Sequence, residues 1–113
     1  MAWAARGGDR LDQEGDAPRF WSHLGRACYC AEKYAEAAEA FSRVTRPDHT
    51  HHAFLAATFA QMGNAVAAAA HAAEVLKREP TFSVPDYLAT QHYKREIDRQ
   101  RHQAGLLKAG LPG

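Results

Sequence analysis

Residues 21–44, WSHLGRACYCAEKYAEAAEAFSRV, share a pattern of apolar and small residues with residues 52–75, HAFLAATFAQMGNAVAAAAHAAEV. Pro80 closes the second copy. Equivalent positions are 31 residues apart in three pairs: Leu24 and Leu55, Gly25 and Ala56, Ala37 and Ala68. Repetition at a fixed spacing is typical of proteins that stack one small unit on the next. The stretch from Trp21 to Pro80 therefore decides the predicted fold.

Each copy is predicted to form two helices joined by a tight turn. Small residues stand where the two helices are expected to cross: Gly25 and Ala37 in the first copy, Ala56 and Ala68 in the second. A side chain no larger than alanine lets two helix backbones approach closely, and larger neighbours then fill the space beside them. A hairpin of this kind buries its apolar face only against a stacked neighbour, so the pattern predicts a solenoid.

The residues at these positions match one known repeat: Trp21, Leu24, Gly25, Ala37 and Phe41 in the first copy, and Gly63, Ala68 and Pro80 in the second. In this order they resemble the tetratricopeptide repeat, a helical hairpin of about 34 residues. The resemblance implies an all-α, right-handed solenoid of about six helices, made of two such hairpins and a divergent C-terminal hairpin. The first copy departs from the motif, because Cys28 replaces the usual large aromatic residue and Glu32 replaces the usual turn glycine.

The chain divides into three predicted parts. Residues 1–16 are polar and glycine-rich and are expected to be disordered, with Trp3 as the one anchor. Residues 17–82 hold the two tetratricopeptide repeats, and residues 83–113 form a capping helical hairpin that covers the end of the stack. Helices are expected near residues 17–31, 34–45, 65–78, 84–92 and 94–108. A further helix is expected to start at a cap on Asp48 or Thr50 and to end near residue 62. The last helix is expected to bury Ile97, Ala104 and Leu107, with Leu106 beside them.

The C-terminal part carries a second, narrower resemblance. The strings EVLKREPTFS at residues 74–83 and GLLKAGLP at residues 105–112 are similar to the end of large bacterial signalling proteins. In those proteins a class III adenylate or guanylate cyclase domain, or a winged-helix activator domain, precedes a tetratricopeptide array. The resemblance implies a cytoplasmic regulatory tail, or a fragment of one, that lacks the catalytic domain. A fragment would expose the apolar side of its first helix near Trp21, which predicts self-association through that open end.

Composition argues against several classes of function. The 14 Lys and Arg residues nearly balance the 13 Asp and Glu residues, and a net charge of +1 gives no reason to expect nucleic acid or an anionic membrane as a partner. No apolar run approaches the roughly 20 residues of a membrane span, and residues 1–15 lack the apolar core of a secretory signal. Cys28 and Cys30 point about 200° apart on one predicted helix, so we expect reduced thiols and no intrachain disulfide.

Two groups of residues are candidates for chemistry, and neither matches a catalytic or metal-binding motif. His49, His51 and His52 stand at the start of a predicted helix, but only His49 and His52 have a spacing that lets them converge. We expect solvated histidines with, at most, weak zinc or nickel binding. Cys28 with His23 or His49 lacks an acidic residue to orient the base. The sequence therefore predicts no catalytic residue, no metal site and no cofactor.

The remaining candidate site is the concave groove that the first helix of each repeat lines in such a solenoid. The repeat register places these residues in the groove: Arg19, Ser22, Arg26, Tyr29 and Cys30 from the first copy, and Thr50, Ala53, Ala57, Ala60 and Gln61 from the second. Chaperone-binding members of the family hold a C-terminal carboxylate with Asn and several Lys or Arg residues, whereas Arg26 and Ala57 occupy the asparagine register here. The resemblance therefore implies an interaction scaffold for another protein or peptide, bound as an extended segment or a helix.

Two alternatives stay open. The chain is a cyclase if it shares the activity of the signalling proteins it resembles, although nothing in the sequence reads as the strands that carry cyclase chemistry. In the other alternative it is a structural remnant without a partner, or binds metal weakly through its histidines.

Overall fold

The computed structural model describes residues 17–113, apart from the side chains of residues 17 and 18, and this part of the chain is helical without any strand. Its helices are α1 (Ala17–Cys30), α2 (Tyr34–Ser42), α3 (His49–Gln61), α4 (Ala65–Arg78), α5 (Val84–Ala89) and α6 (Glu96–Lys108). The all-α prediction is confirmed over these residues. The predicted disordered segment, residues 1–16, lies outside them.

Side chains cap the starts of α3, α4 and α5. Asp48 Oδ1 accepts a hydrogen bond of 3.1 Å from the amide of His51, and His51 Nδ1 accepts one of 3.1 Å from the amide of Asp48. Asn64 caps α4 and Ser83 caps α5 in the same manner, each accepting from the amide three residues on. Between α3 and α4, Gly63 turns the chain with a φ of +82°. Such caps satisfy amides that have no partner inside the helix.

The first four helices form two hairpins that stack on each other. Helix α1 packs along α2 and α3 packs along α4, while α2 lies against α3 and joins the two pairs. The predicted small residues at the crossings are all buried: Gly25, Ala37, Ala56 and Ala68. A Cβ atom on Gly25 would come within 2.7 Å of the ring of Phe41. The close approach predicted at Gly25 is therefore present, with the Phe41 ring as its partner.

The turn between α1 and α2 departs from ordinary backbone geometry at Glu32. Its φ of +64° lies in the left-handed region that glycine favours, and this is the position where the repeat motif usually has glycine. The Glu32 carboxylate forms an ion pair of 3.0 Å with Arg101 in α6. The strained turn is thus tied to the C-terminal helix.

Helix α6 packs chiefly on α3, with a smaller contact to α5. A Cβ atom on Gly105 would lie 2.8 Å from the Cβ atom of Ala57 and would also collide with the hydroxyl of Tyr29. The absence of a side chain at residue 105 therefore lets α6 approach α1 and α3 at once. The core of the protein lies at this junction, where Tyr29, Phe54 and Leu106 are almost fully buried.

Several predicted details of the helices are wrong. Helix α2 ends at Ser42 instead of residue 45, α5 ends at Ala89 instead of residue 92, and α6 begins at Glu96 instead of residue 94. Of the residues of α6 that were expected to be buried, Leu106 is buried, whereas Ile97 and Leu107 are 41% and 45% accessible and Ala104 is exposed. The buried residues of α6 are Asp98, His102, Gly105 and Leu106. This polar face is buried because hydrogen bonds satisfy Asp98 and one nitrogen of His102, and because Gly105 permits close contact.

Candidate functional site

The groove predicted along the first helices of the two hairpins contains α6. The floor of the groove is formed by Ala53 and Ala57 of α3, which are both fully buried, and by Tyr29 of α1, which is 1% exposed. The Tyr29 hydroxyl donates a hydrogen bond of 2.8 Å to the carbonyl oxygen of Arg101 in α6. The smooth alanine surface that the sequence places in the groove therefore meets a helix of the same chain.

A set of polar contacts holds α6 at one end of this groove. Gln61 Nε2 donates to the carbonyl oxygen of Arg101 at 3.4 Å. The Arg101 side chain donates in turn to the carbonyl oxygen of Cys30 at 3.3 Å and pairs with Glu32. Both hairpins thus bond to one turn of α6, because Gln61 belongs to the second hairpin and Cys30 and Glu32 to the first.

Arg26 contacts the segment that leads into α6. Its guanidinium donates to Gln91 Oε1 at 3.0 Å and to the carbonyl oxygen of His92 at 3.3 Å. It also lies 5.0 Å from the centre of the Phe54 ring, at a distance suited to a cation–π contact. Because these partners are uncharged, the positive charge of Arg26 is held in place without being neutralised.

The structure gathers only part of the predicted groove set around the C-terminal segment. Arg26, Tyr29 and Gln61 bond to it directly. Arg19 is exposed, Ser22 and Thr50 are half-buried, and none of these three makes a side-chain hydrogen bond to another described residue. No sequence pattern singled out Gln91, Arg101 or His102, because each stands in a polar stretch.

An open cleft remains between α1 and the start of α6. It has a volume of about 660 Å³ and is lined by these residues: His23, Arg26, Ala27, Cys30, Ala31, His92, Tyr93, Lys94, Arg95 and Asp98. We call it the basic cleft, because three of its side chains are cationic at neutral pH and one is a carboxylate. A bidentate pair joins Arg95 and Asp98, at 2.9 and 3.2 Å. Arg26 and Lys94 are therefore the cations that a bound group would meet.

The ionisation of the cleft residues does not resemble that of a nucleophilic site. The hydrogen bond from Arg95 holds the pKa of Asp98 below its ordinary value, so the carboxylate is charged at neutral pH. Burial raises the pKa of the Cys30 thiol, so the thiol is protonated there. A nucleophilic cysteine needs the opposite shift, which nearby cations or a helix N-terminus usually supply.

His102 lies behind the cleft in an aromatic cage. It is fully buried, and its ring stacks on Phe54 with 3.9 Å between the ring centres. Its Nδ1 atom is 2.6 Å from the Tyr93 hydroxyl, while its Nε2 atom has no hydrogen-bond partner among residues 17–113. Burial lowers the pKa of His102 to about 3. The imidazole is therefore neutral at physiological pH.

The histidines at the start of α3 diverge. His51 caps the helix, the His49 ring is 6.4 Å from that of Tyr87, and His52 Nδ1 is 3.1 Å from His71 Nδ1 in α4. In the described part of the chain, no group of three or more His, Cys, Asp or Glu residues is placed to hold a metal ion.

Comparison with known proteins assigns no function to the groove or the cleft. The chain matches no protein-family model, no curated protein and no solved structure. Among residues 17–113, no helix combines the length and the apolar character that a membrane span requires. The residues of the groove and of the basic cleft are therefore the basis for a function.

Proposed function

We propose that the protein is a non-catalytic, tetratricopeptide-like interaction domain that binds an acidic peptide segment of another protein in the basic cleft. The observation that carries this proposal is the state of Arg26. Its guanidinium is fixed by two neutral oxygens and by the Phe54 ring, and it still presents an uncompensated charge to the cleft. A preorganised cation of this kind binds a carboxylate with little loss of side-chain entropy.

The size and lining of the cleft suit a short peptide segment. Its volume of about 660 Å³ is typical of a ligand site, and its apolar part includes Ala27, Ala31 and Tyr93. Exposed Lys94 also lines the cleft and supplies a second cation. A segment with two acidic side chains around a small apolar residue matches this arrangement.

An interaction role also fits a domain that belongs to a larger protein. The sequence resemblance to the end of bacterial signalling proteins supports a role as a cytoplasmic regulatory tail or a fragment of one. An interaction role also agrees with the protonated thiol of Cys30 and with a buried, neutral His102, since neither is prepared for nucleophilic catalysis. The competing hypothesis of a cyclase-like enzyme has no described residue that supports it.

Selection of peptides tests this proposal. From a library of random twelve-residue peptides displayed on phage, we expect the wild-type protein to enrich sequences that contain pairs of Asp or Glu residues. Arg26→Glu and Lys94→Glu should each weaken binding of an enriched peptide at least about tenfold, or about 1.4 kcal/mol. Fluorescence anisotropy with the labelled peptide measures the loss.

The control is Arg46→Glu, which makes the same charge reversal at an exposed residue between α2 and α3. It should leave the dissociation constant unchanged. Enrichment of peptides without acidic residues, or equal binding by the wild type and Lys94→Glu, would refute the proposal. Because Lys94 is exposed, its substitution should weaken peptide binding without unfolding the protein. Circular dichroism of the variant checks that it is folded.

A further inference from the structure

Two histidines, His23 and His92, line the basic cleft, and both side chains are exposed. His23 lies one turn before Arg26 on α1, a spacing that makes the two side chains neighbours on the helix surface. The backbone of His92 is held at Arg26, whose guanidinium donates a hydrogen bond of 3.3 Å to the carbonyl oxygen of His92. Both histidines are therefore neighbours of the cation that carries the proposed function.

The other ionisable groups of the cleft keep the same charge between pH 8 and pH 6. Burial raises the pKa of Cys30 and of Tyr93, so the thiol and the phenol stay neutral. The hydrogen bond from Arg95 lowers the pKa of Asp98, so this carboxylate stays negative beside its guanidinium. Lysine and arginine side chains are cationic across this range, whereas histidine is the side chain that ordinarily changes charge within it. The charge of the cleft therefore changes with pH through its two histidines.

The groups that flank the two histidines leave this added charge unbalanced. His92 also lines a neighbouring pocket with Glu96 and Arg99, whose side chains pair with each other at 2.8 Å. Arg19, one turn before His23 on α1, is exposed and cationic. The described residues that line the cleft and this pocket include no carboxylate without a basic partner. Protonation of the histidines therefore adds positive charge that an acidic ligand would balance.

We propose that protonation of His23 and His92 regulates the basic cleft, so that an acidic peptide segment binds more tightly as the pH falls from 8 to 6. This inference rests on the proposed function. At pH 8 the unbalanced cations of the cleft are Arg26 and Lys94, and at lower pH two imidazolium groups join them. The Arg26 guanidinium opposes this protonation in the empty cleft, whereas the carboxylates of a bound peptide favour it. Peptide binding therefore takes up protons, and by linkage acid strengthens binding.

Fluorescence anisotropy at pH 8 and pH 6 tests the proposal. The probe is a labelled acidic peptide from the phage selection, with blocked termini and with Asp and Glu as its only ionisable side chains. These carboxylates stay charged at both pH values, so a change in affinity reports on the protein. The wild type should bind about tenfold more tightly at pH 6, because each exposed imidazolium contributes about threefold. His23→Gln and His92→Gln should each reduce the gain to about threefold, and the double variant should abolish it.

Isothermal titration calorimetry at pH 7 measures the proton uptake itself. Titrations in buffers that differ in ionisation enthalpy should show that the wild type takes up protons when the same peptide binds. The variant that carries both His23→Gln and His92→Gln should take up none. Equal proton uptake by the wild type and the double variant would contradict the assignment to these two histidines.

His49→Gln is the matched control, because His49 begins α3 and does not line the cleft. It should keep the full wild-type response, and circular dichroism at both pH values checks that each variant is folded. A wild type that binds the peptide equally well at pH 8 and pH 6 would overturn this inference and leave the proposed function standing. So would a double variant that keeps the wild-type response. If no acidic peptide binds the wild type at either pH, both proposals are wrong.

Discussion

Replacing Gly105 with leucine is expected to lower the free energy of unfolding by about 3 kcal/mol, the upper range for overpacking a core. A Cβ atom at this position would collide with the Tyr29 hydroxyl and would lie 3.2 Å from the Cα atom of Ala57. The second contact is with the backbone of α3, which no rotamer change relieves. Leucine has a higher intrinsic helix propensity than glycine. A loss of stability in Gly105→Leu would therefore come from the close packing of α6 in the groove. Urea unfolding followed by circular dichroism measures the change.

Ala104→Leu provides the control for Gly105→Leu. Residue 104 neighbours Gly105 on α6 but is exposed, so the same side chain there should change stability by less than about 0.5 kcal/mol. Equal stabilities for the two variants would mean that α6 does not lie in the groove.

Acidification should weaken the fold through His102. Burial lowers the pKa of His102 to about 3 in the folded protein, whereas an unfolded chain has the ordinary value near 6.5. Between these two pKa values the unfolded chain binds more protons than the folded protein does. The stabilisation from a neutral His102 is therefore complete above the pKa of the unfolded chain and is lost as the pH falls towards the pKa of the folded protein. Between pH 8 and pH 5 we expect a loss of about 2 kcal/mol from this residue.

The variant His102→Gln isolates this contribution. Glutamine does not titrate, so its free energy of unfolding should fall about 2 kcal/mol less than that of the wild type between pH 8 and pH 5. Some dependence should remain, because burial also lowers the pKa of His52 and of His71. Urea titrations at both pH values provide the comparison. Parallel losses in wild type and variant would show that His102 is not buried in the folded protein.

The hairpins were predictable because their signals are local. The 31-residue repeat is read from the chain directly. The caps at Asp48, Asn64 and Ser83 and the turn at Gly63 depend on residues a few positions apart. Their physical effect does not depend on what packs later. The same reasoning placed small residues at the helix crossings, and the structure shows all of them buried.

The position of α6 was not predictable from hydrophobic pattern alone. A count of apolar residues favours the side with Ile97 and Leu107, yet the buried side carries Asp98 and His102. That choice depends on long-range partners such as Tyr29 and Tyr93, which the pattern of a single helix does not report. The one informative residue was Gly105, because a glycine inside a helix indicates either a weak helix or a close approach.

The same limit applies to the candidate site. The helical spacing of Ala53, Ala57 and Ala60 in α3 predicts the floor of an open groove. A floor of small residues accepts a helix of the same chain as readily as a partner, and nothing local distinguishes the two. The basic cleft shares only Arg26 and Cys30 with the predicted groove and has no lining residue from α3.

Binding of the isolated C-terminal segment in trans tests most directly whether α6 fills this groove. A fluorescent peptide of residues 94–113 should not bind the wild-type chain, whose own α6 occupies the site. It should bind the Gly105→Leu chain, whose α6 is displaced, with a dissociation constant on the order of micromolar and a corresponding rise in anisotropy. Equal binding to both chains, or no binding to a Gly105→Leu chain that retains its helical circular dichroism, would contradict the placement of α6 in the groove.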